Sequence, residues 1–170
     1  GRISELSWAQ VSEARIDGTE PIPLLEDLFT AFPGVKINID PKDDNVVDPL
    51  VEVLREHAAL DRVCLGSFSD RRLRRCRELL GPGLCTSAGP LAVSLVRLSS
   101  FGLPTGRPSA QCLQVPVRQG RIPIVDRRFV GHAHDRGLQV HVWTIDDPAE
   151  MHRLLDLGVD GIMTDQPSLL

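Results

Sequence analysis

The sequence predicts an α/β protein with a parallel sheet, specifically a (β/α)8 barrel of the TIM type, N-terminally truncated to about six βα units. Three observations lead there. Apolar runs with strand character alternate strictly with helical patterns along the 170 residues, the order that βα units with right-handed crossovers produce. No strand is followed by a GxGxxG or GxxxxGK[ST] turn, so the dinucleotide and nucleoside triphosphate fingerprints of open doubly wound sheets are missing. Polar or aromatic residues recur at the C-terminal ends of strands, at Asp40, Phe68, Pro116, Trp143 and Asp165, as they do where many strands face one axial pocket. An eight-unit barrel takes about 250 residues, or roughly 31 per unit, so this length accommodates about five or six units. The C-terminal unit is intact, which places the expected deficit at the N-terminus. One partial-barrel domain is expected over residues 1–170.

The elements follow in order. A short helical pattern over 7–14 carries Trp8, expected to cover the core from an inserted helix, and a second pattern over 23–32 precedes the first barrel strand. Strand 35–40 alternates cleanly, with Val35, Ile37 and Ile39 on one side and Lys36, Asn38 and Asp40 on the other, the period-two pattern of a half-buried strand. Helical patterns over 47–60, 69–80 and 90–99 separate apolar strands at 62–67, 84–87 and 112–117. The stretch GLPTGRPSA, 102–110, joins a helix to the next strand while regular units continue on both sides. It reads as a surface loop on the side opposite the pocket rather than as a domain linker. A helix over 125–136 leads to strand 138–144, where Val140 and Val142 alternate with His141 and Trp143. Asp146 is the expected N-cap of a helix over 148–157, with Pro148 in its first turn and Gly158 after its last apolar position. Strand 161–165 closes the unit on the carboxylate of Asp165.

Composition narrows the function. A hydrophobic content of 42% supports one sizeable core, and a net charge of −4 with a pI near 5.7 exerts no broad pull on nucleic acid or an anionic membrane. No run of about 18 apolar residues suggests a membrane span, and the opening GRISEL has no basic-then-apolar signal pattern. The four cysteines show neither a CxxC pair nor zinc-type spacing. They are expected as buried, reduced thiols, which favours the cytoplasm, while a secretory segment upstream of Gly1 stays open. Cys64 and Cys85 fall on consecutive strands. The run Arg71, Arg72, Arg74, Arg75 and Arg77 lacks interleaved aromatics and reads as a solvated helix face. His57, His132, His134 and His152 fall on helices as surface or packing residues, and His141 shares the inward parity of Trp143 at a deeper level.

The chemistry concentrates on strand 35–40. If its apolar side packs on helices, Asn38, Asp40 and, past the strand, Lys42 point towards the axis at the catalytic end. A carboxylate there suits Mg²⁺ or Ca²⁺, and an ammonium two residues on suits a phosphate oxygen. The plainer reading is a polar strand end paired internally. Only two of the chain's 19 basic residues are lysines, and one of them is Lys42. Asp165 is read as lining the pocket and binding substrate, against the alternative that it bonds the amides of the following turn.

The segments PIPLLEDLF, INIDPK, CLGSFSD, LQVPV and VHVWTIDDPAEMHRLLDLGVDGIMTDQP resemble, in order and approximate spacing, the glycerophosphodiester phosphodiesterase family. The resemblance covers nearly the whole chain and is most specific in its last segment. It implies a (β/α)8 barrel that hydrolyses glycerophosphodiesters to glycerol phosphate and an alcohol, with a divalent metal, Mg²⁺ or Ca²⁺, and two histidines for acid/base work. It implies that Asp40 matches a metal-binding acidic position that is usually Glu, that Lys42 is the catalytic lysine beside the phosphate, and that Phe68 and Trp143 are pocket-lining aromatics. The chain departs from the family in lacking an HRG strand, an ExD metal motif and an HD pair. Asp in place of Glu shortens the reach by one methylene, and Pro41 stiffens the backbone beside it. The metal site is therefore expected to be incomplete and the chain alone inactive. One alternative is a catalytically inactive partial barrel that binds a phosphate ligand or self-associates through its open edges. A barrel of the phosphatidylinositol-specific phospholipase kind is a further rival, against which the WT and TDQP segments argue.

Overall fold

Short runs of β-branched and apolar residues between capped helices set the architecture. In the computed structural model, which describes residues 2–169, a 3-10 turn (Ile3–Glu5) is followed by helix α1 (Trp8–Val11), an antiparallel hairpin of β1 (Arg15–Ile16) and β2 (Glu20–Pro21), and helix α2 (Leu25–Ala31). Then come β3 (Ile37–Ile39), α3 (Val47–Glu56), β4 (Val63–Leu65), α4 (Asp70–Leu80), β5 (Cys85–Thr86), α5 (Pro90–Ser99) and β6 (Cys112–Pro116). A second hairpin, β7 (Arg118–Gln119) and β8 (Ile122–Pro123), precedes α6 (Arg127–Asp135), β9 (Gln139–Trp143), α7 (Pro148–Leu157) and β10 (Gly161–Ile162). Every expected strand and helix is present, most of them shorter than the sequence pattern suggested. Both hairpins are additions.

The six barrel strands are parallel, in two ladders ordered β3-β4-β5 and β10-β9-β6. A bridge between Ser87 and Cys112 joins them, with the Ala88 N–H donating to the Cys112 carbonyl at 2.8 Å and the Gln111 N–H to that of Thr86 at 3.0 Å. Spatial order therefore follows chain order, as in a barrel wall. Among the described residues β3 and β10 each have one sheet neighbour, so the wall is not closed.

Register sorts the side chains. Ile37 faces Val63, Ile39 faces Leu65, Leu113 faces Val140 and Val115 faces Val142. These positions pack outward against the helices, with Phe29, Leu54 and Leu73 behind β3 and β4 and with Val96, Phe129 and Leu154 behind β6 and β9. The other parity, Asn38 with Cys64 and Gln114 with His141, turns to the concave side.

Several expectations change. The N-cap of α7 is Asp147, whose carboxylate accepts from the amides of Ala149 at 2.7 Å and Glu150 at 3.4 Å. Pro148 occupies N1, which makes the residue directly before it the cap. Asp146 instead accepts from the Thr164 hydroxyl at 2.9 Å and the Asp165 amide at 2.8 Å, tying the start of α7 to the end of β10. Trp8 does not cover the core, because it opens a four-residue helix of which only Val11 is buried and is itself 47% exposed. The arginine run splits, since five residues spread over two turns of α4 cannot share one face. Arg71 pairs with Asp44 and Arg75 with Asp48 on the solvent side, whereas Arg72 and Arg77 turn inward, Arg77 donating to the Thr86 hydroxyl at 2.6 and 2.9 Å.

The four thiols are free. Cys76 and Cys112 are buried, but Cys64 and Cys85, register partners on the concave side, are only half-buried. The Cys64 sulfur lies 3.7 Å from that of Cys112. The hydrogen bond with Cys112, followed by burial, raises the Cys64 pKa, and burial first pushes Cys85 up to about 11. The 102–110 loop is pinned by Arg136, which donates to the carbonyls of Gly106 at 3.0 Å and Thr105 at 3.2 Å. Among the described residues no helix is long and apolar enough to cross a membrane.

Phe129, fully buried against β6 and β9, is expected to cost about 3–5 kcal/mol as Phe129→Ala. Asp147→Ala, which removes the α7 cap, is expected to cost about 1 kcal/mol. Urea denaturation of the purified variants reads both values.

Candidate active site

Parity and chain reversal assemble the site at the C-terminal strand ends. β3 turns Asn38 and Asp40 to the concave side, the buried Pro41 ends the strand, and Lys42 folds back so that its Nζ lies 2.5 Å from Asp40 Oδ2. After β4, Gly66 donates its N–H to the Ile39 carbonyl at 2.9 Å. A Cβ on Gly66 would meet Gln114 Oε1 at 2.7 Å, so glycine is what lets the Gln114 side chain cross there and donate to Asn38 Oδ1 at 2.9 Å. Two residues on, Phe68 stands out from the loop with its ring edge-on to Trp143, centroids 5.9 Å apart and planes at 86°, a favourable aromatic geometry. Lys42 Nζ sits 5.8 Å from the centre of the Phe68 ring. Trp143 ends β9 opposite Pro116 of β6.

These groups surround an open cavity of about 550 Å³ that Asp40, Lys42, Phe68 and Trp143 all line. Four of the five residues singled out in the sequence therefore meet in one place. Asp165 does not join them. β10 ends at Ile162, earlier than expected, and Met163 takes the place on the cavity wall. Asp165 is exposed beyond it with its amide held by Asp146, while the Thr164 hydroxyl, not the Asp165 carboxylate, accepts from the next amide, that of Gln166, at 2.9 Å.

Sequence reading also missed part of the wall. Gln114 shares the parity of the polar residues of β3 and could have been found by extending that parity across the register. Gln119 and Ile124 line the cavity from the hairpin and its exit. The hairpin's signal was the glycine of the RQGR turn, Gly120, at φ 60, just as Asp17 and Gly18 at φ 50 and 75 mark the first hairpin by an Asp-Gly pair.

The histidines go elsewhere. His134 Nε2 lies 2.9 Å from Asp160 Oδ2, His132 Nε2 lies 2.7 Å from the Ser99 hydroxyl, and His152 Nδ1 lies 2.7 Å from the Pro148 carbonyl. His57 packs against the Phe29 ring at 5.6 Å. His141 does face the concave side, below the cavity, and its ring fits because Gly161 carries no Cβ; an added one would meet Cδ2 at 2.9 Å. Among the described residues no histidine lines the cavity.

One carboxylate and one ammonium make the charged part of the cavity neutral, and Lys42, with its side chain 76% exposed, presents its ammonium to any anionic group that enters. A Mg²⁺ or Ca²⁺ site needs about six or more oxygen ligands. Among the described residues no group of three or more His, Cys, Asp and Glu could hold a metal, and the one cavity carboxylate, Asp40, already holds Lys42. The residues present do not fit a complete divalent-metal site.

Comparison with known proteins decides the family. The sequence model described as the glycerophosphoryl diester phosphodiesterase family matches residues 1–169. The chain belongs to this family. It is 40% identical over 176 residues to a Mycobacterium tuberculosis protein named as glycerophosphodiester phosphodiesterase 2, covering 100% of this chain and 66% of that protein. It is 27% identical over 187 residues to lysophospholipase D GDPD1 of Rattus norvegicus, covering 92% and 58%. An Oleispira antarctica phosphodiesterase solved in complex with the product sn-glycerol-3-phosphate superposes with a TM-score of 0.74 at 21% identity, over 98% of this chain and 70% of that one. That likeness shows a shared fold, the TIM barrel of these phosphodiesterases. The chain thus spans less than two thirds of the length of these two curated relatives. Family members are hydrolases of glycerophosphodiesters.

Burial holds the His141 imidazole below its usual pKa, with the Asp160 carboxylate acting in the opposite sense. The unfolded chain takes up this proton near pH 6.5 and the folded chain only at lower pH. Its contribution to stability is therefore full above about pH 6.5 and lost as pH falls through the lower folded value. His141→Gln is expected to flatten the fall in urea midpoint between about pH 7.5 and pH 5. A wild-type slope in that variant would disprove the linkage.

Proposed function

We propose that this chain forms the C-terminal portion of a glycerophosphodiester phosphodiesterase barrel, about six βα units in one domain over residues 1–170, and that the reaction it serves is hydrolysis of a glycerophosphodiester to glycerol phosphate and an alcohol. The observation that carries the reading is the convergence of Lys42, Asp40, Phe68 and Trp143 on one cavity at the C-terminal strand ends. There Lys42 meets a phosphate oxygen and offsets negative charge that grows in the transition state. The edge-to-face Phe68 and Trp143 pair forms an apolar wall for the carbon part of the ligand. Asp40 orients Lys42 and is the one cavity carboxylate that a divalent ion would meet here. The choice of ligand follows the fold neighbour solved in complex with sn-glycerol-3-phosphate. Free thiols fit a reducing compartment, which favours the cytoplasm.

With one metal carboxylate and no cavity histidine among the described residues, proton transfer to the leaving alcohol has no donor here, and the chain alone is inactive in this reading. A second reading follows from the sheet edges. β3 and β10 each have a sheet neighbour on one side only among the described residues, which favours pairing with another chain, so an inactive ligand-binding or self-associating partial barrel is the alternative.

The chain alone is expected to release no glycerol phosphate from glycerophosphocholine with Mg²⁺ or Ca²⁺; robust turnover would overturn this reading. Joined to an upstream segment carrying HRG and ExD, it is expected to gain activity that Asp40→Ala abolishes. Glycerol 3-phosphate is expected to change the emission of Trp143, read in a Trp8→Phe background because the chain has two tryptophans. Lys42→Met should weaken that binding by roughly ten- to a hundredfold, the loss of one charge-assisted contact.

A further inference from the structure

The two loops that carry Lys42 and Phe68 are fastened to each other by one guanidinium. Arg72, in the first turn of α4, is only 14% exposed. Its Nη1 donates to the Pro41 carbonyl at 2.8 Å and to the Ser67 hydroxyl at 3.0 Å, and its Nε to Asp44 Oδ1 at 3.0 Å. Pro41 lies between Asp40 and Lys42, Asp44 lies two residues past Lys42, and Ser67 directly precedes Phe68. One side chain thus holds the Lys42 loop at two points and the Phe68 loop at a third. The Ser67 hydroxyl closes the set by donating to the Pro41 carbonyl at 3.3 Å and accepting from the Ser69 amide at 3.3 Å. Pro41 is buried and has no N–H, so its carbonyl is its one main-chain hydrogen-bonding handle. The neighbouring Arg71 is 79% exposed and meets Asp44 alone.

We infer that Arg72 is a positioning residue, which sets the distance between the Lys42 ammonium and the Phe68 ring by clasping the Pro41 carbonyl, Ser67 and Asp44 together. Three acceptors in different directions need the rigid planar fork of arginine, which a lysine ammonium on a flexible stem does not supply. Screening from water strengthens each bond. Arg72 does not line the cavity, so its effect on a ligand passes through Lys42 and Phe68. The ligand-binding consequence rests on the proposed function, whereas the clasp rests on the geometry alone.

Two measurements separate these levels. In amide hydrogen exchange of the 170-residue chain, Arg72→Ala is expected to speed exchange at least tenfold in both 40–46 and 66–69, while Arg71→Ala leaves both at the wild-type rate. Loosening of neither loop, or of one alone, overturns the clasp. In the Trp8→Phe background, glycerol 3-phosphate affinity read by Trp143 emission is expected to fall five- to twentyfold in Arg72→Ala. The double variant Arg72→Ala/Lys42→Met is expected to lose less than the product of the two single fold-losses, because part of the effect of Arg72 acts through Lys42. Additive losses mark a general structural role and overturn the positioning role. If the wild-type chain does not bind glycerol 3-phosphate, the proposed function fails and the exchange result still decides the clasp. Arg72→Lys keeps the charge and guards against a variant that does not fold; it should loosen both loops, and wild-type exchange in it overturns the requirement for the fork.

Discussion

Everything in this molecule depends on the two-residue parity of its parallel strands and on the register that carries it from strand to strand. Because Ile37 pairs with Val63 and Val115 with Val142, the apolar side of the sheet is continuous and can be covered by helices. The same register forces Asn38, Cys64, Gln114 and His141 to the other side, where no helix covers them. A one-residue slip in β3 would bury Asn38 and Asp40 and expose Ile37 and Ile39. Hydrophobic burial thus aims Asp40 at the cavity without any contribution from the cavity itself.

Strands end where the cavity begins, so its geometry depends on how the loops are braced. Each brace is a charged or polar group borrowed from the adjacent unit. Arg72 of α4 holds the loop after β3. Asp70, also in α4, accepts from the Leu91 amide in the first turn of α5, at 3.2 Å, and Gly89 is required there because a Cβ would lie 2.3 Å from Asp70 Oδ1. Arg97 of α5 reaches Asp126, the N-cap of α6, at 2.7 Å and holds its carboxyl below the usual carboxylate range. Asp146 joins the loop after β9 to the residues after β10. These contacts are sequential around the arc, so the rim is stabilised unit by unit.

The sequence was informative where a pattern is local. Alternation in 35–40 and in 138–144 located β3 and β9, the concave parity of Asp40, and the position of Trp143, and INIDPK, CLGSFSD and the last segment pointed to the family. Features that depend on a partner distant in the chain were not legible. Nothing in RRLRRCR distinguishes Arg72 and Arg77 from their solvated neighbours until α4 is docked on the ends of β3 and β5. Asp146 and Asp147 are adjacent and chemically alike, and only Pro148 at N1 assigns the cap. Asp165 looked like a strand end because 161–163 is apolar, but β10 ends at Ile162 and the last bonds to the β9 side are those of Met163, whose N–H donates to the Val142 carbonyl and whose carbonyl accepts from the Ile145 N–H, two residues short of Asp165. Trp8 looked like a core residue by size alone, and a four-residue helix had too little apolar surface to hold it there.

The histidines of this chain bond or pack away from the cavity. An imidazole that moves a proton to a leaving alcohol must be within hydrogen-bond reach of it. His134 is held by Asp160, His132 by Ser99, and His152 by its own helix. His141 alone faces the concave side, where Gly161 leaves room for its ring and burial lowers its pKa. In a barrel the loops of all units share one mouth, so recognition and proton transfer can be supplied by different strands. The arc described here brings Lys42 and the Phe68–Trp143 pair to the cavity, while its histidines are engaged with Asp160, Ser99, the Pro148 carbonyl and Phe29. On the proposed reading, binding of a phosphate ligand and turnover of a diester would draw on different strands of the same barrel.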